Sequence, residues 1–224
     1  MMSGINFAGE FELKELKILA SSGNIIDVKK AVQAIEIFED LMSPCLTGTI
    51  TVIDIDNMLE NAPIIGQEYM SLKISTPSLD KDAFDFSENV FSIYKILSKE
   101  NAANDAQIFT LSFCSPELLK NNRVRISKHY LSPIDEMVES IMKDGRFIDT
   151  RKDLFLEETS GNRSIISPNL RPFDFINMIK QEAVSKKYNA PHFFFFENKR
   201  GIHFKSLQSM YEAGTVADLN TGDI

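Results

Sequence analysis

With two cysteines and three histidines in 224 residues, the chain has little material for disulfides or a metal site. Cys45 and Cys114 stand alone in strand-like surroundings, which predicts reduced core thiols rather than a bridge. His129, His192 and His203 lie at no metal-ligand spacing, and neither CxxC nor HExxH occurs. His192 and His203 would approach across a hairpin, but two imidazoles alone make a poor site. The motifs GxxxxGK[ST], GxGxxG and GxSxG are missing as well, so no cofactor is expected. There is no uninterrupted apolar run of about 18 residues, which excludes a membrane-spanning helix. The opening MMSGINFAGEFELKEL lacks the basic-then-apolar pattern of a secretion signal, and synthesis in the cytosol is expected.

Positive charge is also scarce. The chain has 24 Lys/Arg against 32 Asp/Glu, a net charge of −8, which argues against a surface that grips nucleic acid broadly. The shortage is uneven: 8 Lys/Arg against 17 Asp/Glu through residue 115, then 16 against 15. An acidic front half and a near-neutral back half suggest two units in different surroundings, although any one patch also has a plain reading as solubilising surface. What is present is ordinary for a globular protein, with 43% hydrophobic and 25% charged residues, and enough length for two domains.

The front half reads as all-β over residues 5–114. Thr49 to Ile55 is β-branched almost throughout, and in Glu68–Thr76 the residues Met70, Leu72, Ile74 and Thr76 alternate with Tyr69, Ser71, Lys73 and Ser75. A connection ending in Ala62–Glu68 joins these two strands. Phe7 to Leu19 predicts an opening strand whose alternation slips near Glu15, as a bulge would cause. Ser21–Asn24 reads as a turn and Ile25–Asp40 as two strands. Ser78–Glu88 reads as an acidic loop, Val90–Ser98 as a strand, Lys99–Asp105 as a turn, and Ile108–Phe113 as a strand with Phe109, Leu111 and Phe113 on one side.

The character changes at Ser115–Leu119. Arg123–Ser127 is expected to be a short strand. A helix follows, with Ser132 as its cap, Pro133 at its first position, Asp135 as the capping-box acid, a stripe of Ile134, Met137, Val138, Ile141 and Met142, and Gly145 at its end. Phe155–Thr159 is strand-like. A second helix starts at Pro172, carries Ile176, Ile179 and Ala183 on one stripe, and stops by Asn189 and Pro191. His192–Glu197 and Ile202–Leu207 then flank Asn198–Gly201 as a hairpin, and Met210–Ile224 has no strong pattern.

Acid pairs are the one possible source of catalysis: Asp54 with Asp56, and Glu157 with Glu158. Ordinary exposed carboxylates are the simpler reading of both, since no pocket is visible in the sequence. The run Phe193, Phe194, Phe195, Phe196 is more unusual. Four phenylalanines in a strand put two on each face, so both faces are expected to be covered. The Pro172–Tyr188 helix can cover one; the other needs a second layer, a neighbouring domain or another subunit. These four residues are therefore the candidate partner interface.

The order of segments resembles a known family. FELKELKIL, IEIFED, LTGTITVID, APIIGQEYMSLKIST and LSFCS follow one another as in the first barrel of the baseplate hub proteins of contractile-tailed bacteriophages. RISKHY, a helix ending MKDGRF, LEETSGNRSIISPNLRPFDFINMI and HFFFFENKRGIHFKSL are similar to the second hub unit and to the matching part of type VI secretion spike proteins. The resemblance spans residues 7–210 and rests on the series, with Ile166–Phe173 and the Phe-rich hairpin its most telling parts. It implies an α+β, predominantly β fold: two tail-tube-like antiparallel β-barrel or sandwich units decorated with helices, at 1-115 and 116-210, with 211-224 a tail or the start of a further part.

The resemblance further implies a homotrimer whose six barrels form a pseudo-sixfold ring joining the tail tube protein to the central spike protein, next to other baseplate proteins. Such a subunit belongs in the virion tail baseplate, assembles in the host cytoplasm, and lets DNA pass without binding it specifically. It has no enzymatic activity. A lumen poor in Lys/Arg would suit that passage. Hub proteins of this kind often carry more chain after the hairpin, and this one ends soon after Leu207. The competing readings are a monomeric adaptor or binding module, and a small β-scaffold hydrolase using one of the acid pairs.

Overall fold

The computed structural model describes residues 11–54, 64–75, 84–101 and 106–213. They divide into two compact units, one running to Lys120 and including Glu197–Arg200, the other comprising Asn121–Phe196 and the chain from Gly201. The class is α+β and predominantly β, as the sequence leads one to expect.

In the first unit, strands β1 (Glu12–Leu19), β2 (Ile25–Asp27), β3 (Val32–Phe38), β4 (Thr47–Asp54), β5 (Tyr69–Ser75), β6 (Phe84–Asn101) and β7 (Gln107–Cys114) form one sheet. Their order is β2-β1-β5-β6-β7-β4-β3, antiparallel throughout. The sheet curls until a single turn ties its two ends. Val28 N–H donates to Leu16 O on β1, and Ile53 N–H of β4 donates to Ala31 O. Inward-facing Leu16, Ile18, Ile50, Val52, Met70, Leu72, Phe91 and Phe113 are buried in one cluster. Each such side chain contributes about 1.5–3 kcal/mol by leaving water.

Several expectations hold in detail. The β1–β5 register shifts between Leu13 and Glu15, where the alternation of the sequence slips. Ile25–Asp40 makes two strands, and Cys45 and Cys114 are buried thiols rather than a disulfide. Other expectations need correction. The acidic stretch is already strand from Phe84, and β6 continues through Lys99 to Asn101, where a turn was expected. Pairing with β5 on one side and β7 on the other outweighs the low strand propensity of Asp85, Ser87 and Glu88. Residues 7–10, 55–63, 76–83, 102–105 and 214–224 lie outside the described residues, and with them Asp56, Thr76 and the start of the expected opening strand.

Helix α1 (Pro116–Arg123) occupies the place where the character of the sequence changes, with Glu117 in its first turn. The strand expected at Arg123–Ser127 is absent; Ile126 makes only an isolated bridge to Leu170. Strand β8 (His129–Ser132) leads into α2 (Ile134–Lys143), which buries Ile134, Met137, Val138, Ile141 and Met142 as the stripe predicts. Ser132 is not its cap. That residue belongs to β8 and its hydroxyl donates to Pro133 O, while Thr159 Oγ1 accepts from the N–H groups of Ile134 (2.9 Å) and Asp135 (3.2 Å). The Asp135 carboxylate accepts in return from Thr159 N–H (3.0 Å) and Oγ1–H (2.5 Å).

Of the expected Phe155–Thr159 strand, β9 covers Leu154–Leu156, and Thr159 makes only an isolated bridge to Ser185. Strand β10 (Arg163–Ile166) pairs with β8. Helix α3 (Pro172–Ile179) begins at the predicted proline, and Phe173 N–H finds a distant acceptor, Asn121 Oδ1, at 2.8 Å. It ends earlier than expected: one 3-10 turn, Lys180–Glu182, follows, and Ala183 is extended. The hairpin strands β11 (Phe193–Asn198) and β12 (Gly201–Ser206) appear where the sequence puts them, and β12 also pairs in parallel with β9. Gly201 is required there: its φ is +142°, and a Cβ would lie 2.4 Å from Asp153 O. Helix α4 (Leu207–Glu212) starts on a Ser206 cap, in a stretch whose pattern gave no sign of it.

Candidate functional site

Because strand residues alternate, β11 sends Phe193 and Phe195 to one side and Phe194 and Phe196 to the other. Phe193 (4% exposed) and Phe195 (2%) are core. Phe193 packs on Phe204 of β12 at 4.8 Å between ring centroids, and Phe195 on Phe173 of α3 at 5.7 Å, so that helix does cover this side. Phe194 and Phe196 are half-buried. On their side three rings stack across the sheet: Phe196 on His203 (5.0 Å, 10° between planes) and His203 on Phe155 (4.6 Å, 12°). Flanked by two rings, the imidazole is buried while the outer aromatic surfaces stay partly open.

Glu157 and Glu158 do not converge on one site. Glu157 turns to Ser206, accepting from its N–H (2.7 Å) and its hydroxyl (2.9 Å). Burial pushes the Glu157 carboxyl up, but hydrogen bonds from Ser185, Ser206 and Ser209 outweigh it and hold the group below its ordinary value. Glu158 instead pairs on the surface with Lys186 at 2.8 Å. Asp54 stands opposite Gln107 in the β4–β7 register. The histidines stay apart in role: His129 Nε2 meets Ser164 Oγ at 2.9 Å, His192 is exposed with φ of +67°, and His203 lies in the ring stack. No group of three His, Cys, Asp or Glu among the described residues is placed to hold a metal ion.

An open groove of about 410 Å³ on the first sheet is lined by Leu19, Ile25, Tyr69 and Val90, with Glu15 and Lys17 at its polar side. Hydrogen bonds from Lys17 (2.8 Å) and the Ser71 hydroxyl (2.6 Å) hold the Glu15 carboxyl below its ordinary value. That makes a charged, fully ionised rim rather than a general acid. Large apolar side chains are also exposed on the β8–β10 ribbon (Leu131, Ile166) and around the end of β3 (Phe38, Leu41, Met42). Sequence reasoning missed both patches, since exposure depends on which neighbours fold over a strand. What these surfaces can do is bind other protein. No helix among the described residues is long and apolar enough to cross a membrane.

No family model matches the sequence, and no curated protein matches it either. Solved structures do. A 43 kDa tail protein of prophage MuSo2 from Shewanella oneidensis aligns with a TM-score of 0.52 and 8% identity, over 86% of this chain and 54% of its own. A tail protein from Neisseria meningitidis MC58 aligns with the same TM-score and 8% identity, over 85% of this chain and 50% of its own. The E. coli c3393 protein, a component of the type VI secretion system structurally similar to T4 bacteriophage tail proteins gp27 and gp5, aligns with a TM-score of 0.52 and 14% identity, over 89% and 50%. The chain therefore has the fold of phage tail and type VI secretion proteins, and spans about half the length of the structures it matches.

Proposed function

We propose that this chain is a structural subunit of a phage tail baseplate, the central hub through which the tail tube meets the spike. The observation that carries the reading is the fold match itself: one alignment to tail proteins runs through both units rather than through a single common sheet. In this reading residues 1-115 and 116-210 are two tube-like modules, three copies make six modules in a ring, and the ring adapts a sixfold tube to a threefold spike. DNA passes through its lumen, and the deficit of Lys/Arg in the front half keeps a phosphate backbone from sticking there.

The chemistry of the surfaces supports the same reading. Glu157 and Glu158, which would have to cooperate in a hydrolase built on that pair, have separate partners, whereas apolar side chains stand exposed on both units. The half-buried ring surface of Phe194, Phe196 and Phe155 belongs, in this account, against the next protein in the assembly. The reading is tested by removing the chain from particles that contain it. Tails are then expected to lack the spike and an ordered tip, and resupplying the chain is expected to restore both. Complete tails in its absence would refute a hub role.

A further inference from the structure

Where β7 gives way to α1, the ladder between β4 and β7 ends half-made. Thr47 stands opposite Cys114, which sets Leu46 opposite Ser115. In a hydrogen-bonded antiparallel pair the two residues exchange both of their backbone bonds. Here only one of the two forms. Ser115 N–H donates to Leu46 O at 3.0 Å, but Ser115 O accepts from Leu118 N–H, also at 3.0 Å, as the helix begins. Leu46 N–H is thereby left without a strand partner, in a residue only 1% exposed. A buried N–H in that position needs an acceptor from elsewhere.

Glu197 supplies it. Its Oε2 accepts from Leu46 N–H at 3.0 Å across 151 residues of sequence, and Glu197 is itself 1% exposed. Residues Glu197–Arg200 are part of the first unit although the chain reaches them so late. The turn they form is stiff. Asn198 Oδ1 accepts from Arg200 N–H at 2.8 Å, and Gly201 closes the turn at a φ that side chains rarely adopt. Between them Lys199 Nζ lies 5.4 Å from the centre of the Phe84 ring, at the start of β6. Leu46 belongs to the core cluster of the first sheet, and Phe84 packs against that cluster. Both contacts of the turn therefore fall at the border of one core.

We infer that Glu197–Arg200 is a strap that holds the first core shut at Leu46 and Phe84, and that it can let go while the sheet stays folded. From Thr47 to Asp54 every residue of β4 has its partner on β7, so that ladder does not depend on the strap. Release costs the single N–H that the ladder could not serve, together with the cation over Phe84. Openings of this local kind lie below global unfolding in free energy. Cys45, next to Leu46, and Cys114, opposite Thr47, are buried beside the place that release uncovers. A buried thiol is inert, so their reactivity reports the opening. The strap stands whether or not the chain is a hub.

Hydrogen exchange and thiol labelling of the whole chain under native conditions test it, with the Cys45 and Cys114 peptides read separately by mass spectrometry. Glu197→Ala is expected to speed exchange at the Leu46 amide about tenfold, and labelling of Cys45 with it. The amides of Ile50 and Leu111, in mid-ladder, should keep the parent's rates. Glu197→Gln retains an acceptor oxygen and is expected to restore most of the protection. Leu46 and Cys45 as well protected in Glu197→Ala as in the parent would overturn the inference. Equal acceleration at Ile50 and Leu111 would overturn it too, because the carboxylate would then support the whole sheet. If Glu197→Ala does not fold, Lys199→Ala decides the matter. Faster exchange and labelling confined to Leu46 and Cys45 supports the strap, and uniform or absent acceleration refutes it.

Discussion

Phe113 fills the space that a side chain at Gly48 would need. The two residues face each other across β4 and β7, and a Cβ at position 48 would come within 2.3 Å of the Phe113 ring and 2.2 Å of Glu36 O. A glycine in mid-strand weakens a sheet, but here it lets a fully buried ring lie flat across its neighbour. Gly48→Ala is expected to destabilise the chain by about 2–3 kcal/mol, the cost of overpacking a tight core. Adding Phe113→Leu should recover only part of the loss, because Glu36 O stays in the way. Urea unfolding checks this, and an unchanged midpoint for Gly48→Ala would contradict it.

Glu68 is buried with its carboxylate turned back on its own loop, accepting from the N–H groups of Ile65 (2.7 Å), Gly66 (2.9 Å) and Gln67 (3.1 Å). Those donors have no other use for their protons once the carboxylate is gone. Glu68→Ala is expected to cost about 2–4 kcal/mol, the sum of several orphaned groups, and to raise hydrogen exchange at 65–67 first. Exchange unchanged at those three amides would show that another acceptor replaces it.

Thr159 ties the start of α2 to the middle of the chain. Thr159→Val keeps the shape and removes the oxygen, and is expected to cost about 1–2 kcal/mol; Thr159→Ser should be nearly silent. Equal melting temperatures for the valine and serine variants would remove Thr159 from the cap.

Acid should weaken the fold in part through Glu157. Its folded value lies below the ordinary 4.5, so the stabilisation is complete above about pH 4.5 and is lost as pH falls through the lower folded value. Glu157→Gln is expected to flatten that part of the stability profile while leaving the slope above pH 5 unchanged. A variant with the parent's full acid dependence would assign the effect to other carboxylates.

The Phe run separates folding from assembly. Phe195→Asp places a carboxylate in a core site and is expected to cost several kcal/mol, roughly 3–5. Phe194→Asp, on the half-open side, should fold with a smaller loss and yet fail to enter assembled tails. If both variants melt alike, the two sides are not different in kind.

The parts legible in the sequence were those governed by neighbours along the chain. A slip in alternation marked the bulge between Leu13 and Glu15, and a 3.6-residue stripe marked all five buried residues of α2. What stayed hidden depended on distant partners. Ser132 has the right type and place for a cap, but Thr159 arrives from 25 residues on and takes the role; Asn121 does the same for α3 from 52 residues away. The parallel pairing of β9 with β12 leaves no trace in either segment. At the candidate interface, the Phe run announced a covered strand, but the stack of Phe196 on His203 and Phe155 depends on the pairing of β12 with β9, which the run does not reveal.

Cryo-microscopy of the intact particle is the most direct test. Three copies of the chain at the tail tip, their six modules continuing the tube and resting on the spike, is the outcome predicted here. Density for the chain elsewhere in the particle, or as a single copy with its apolar faces open to solvent, would contradict it.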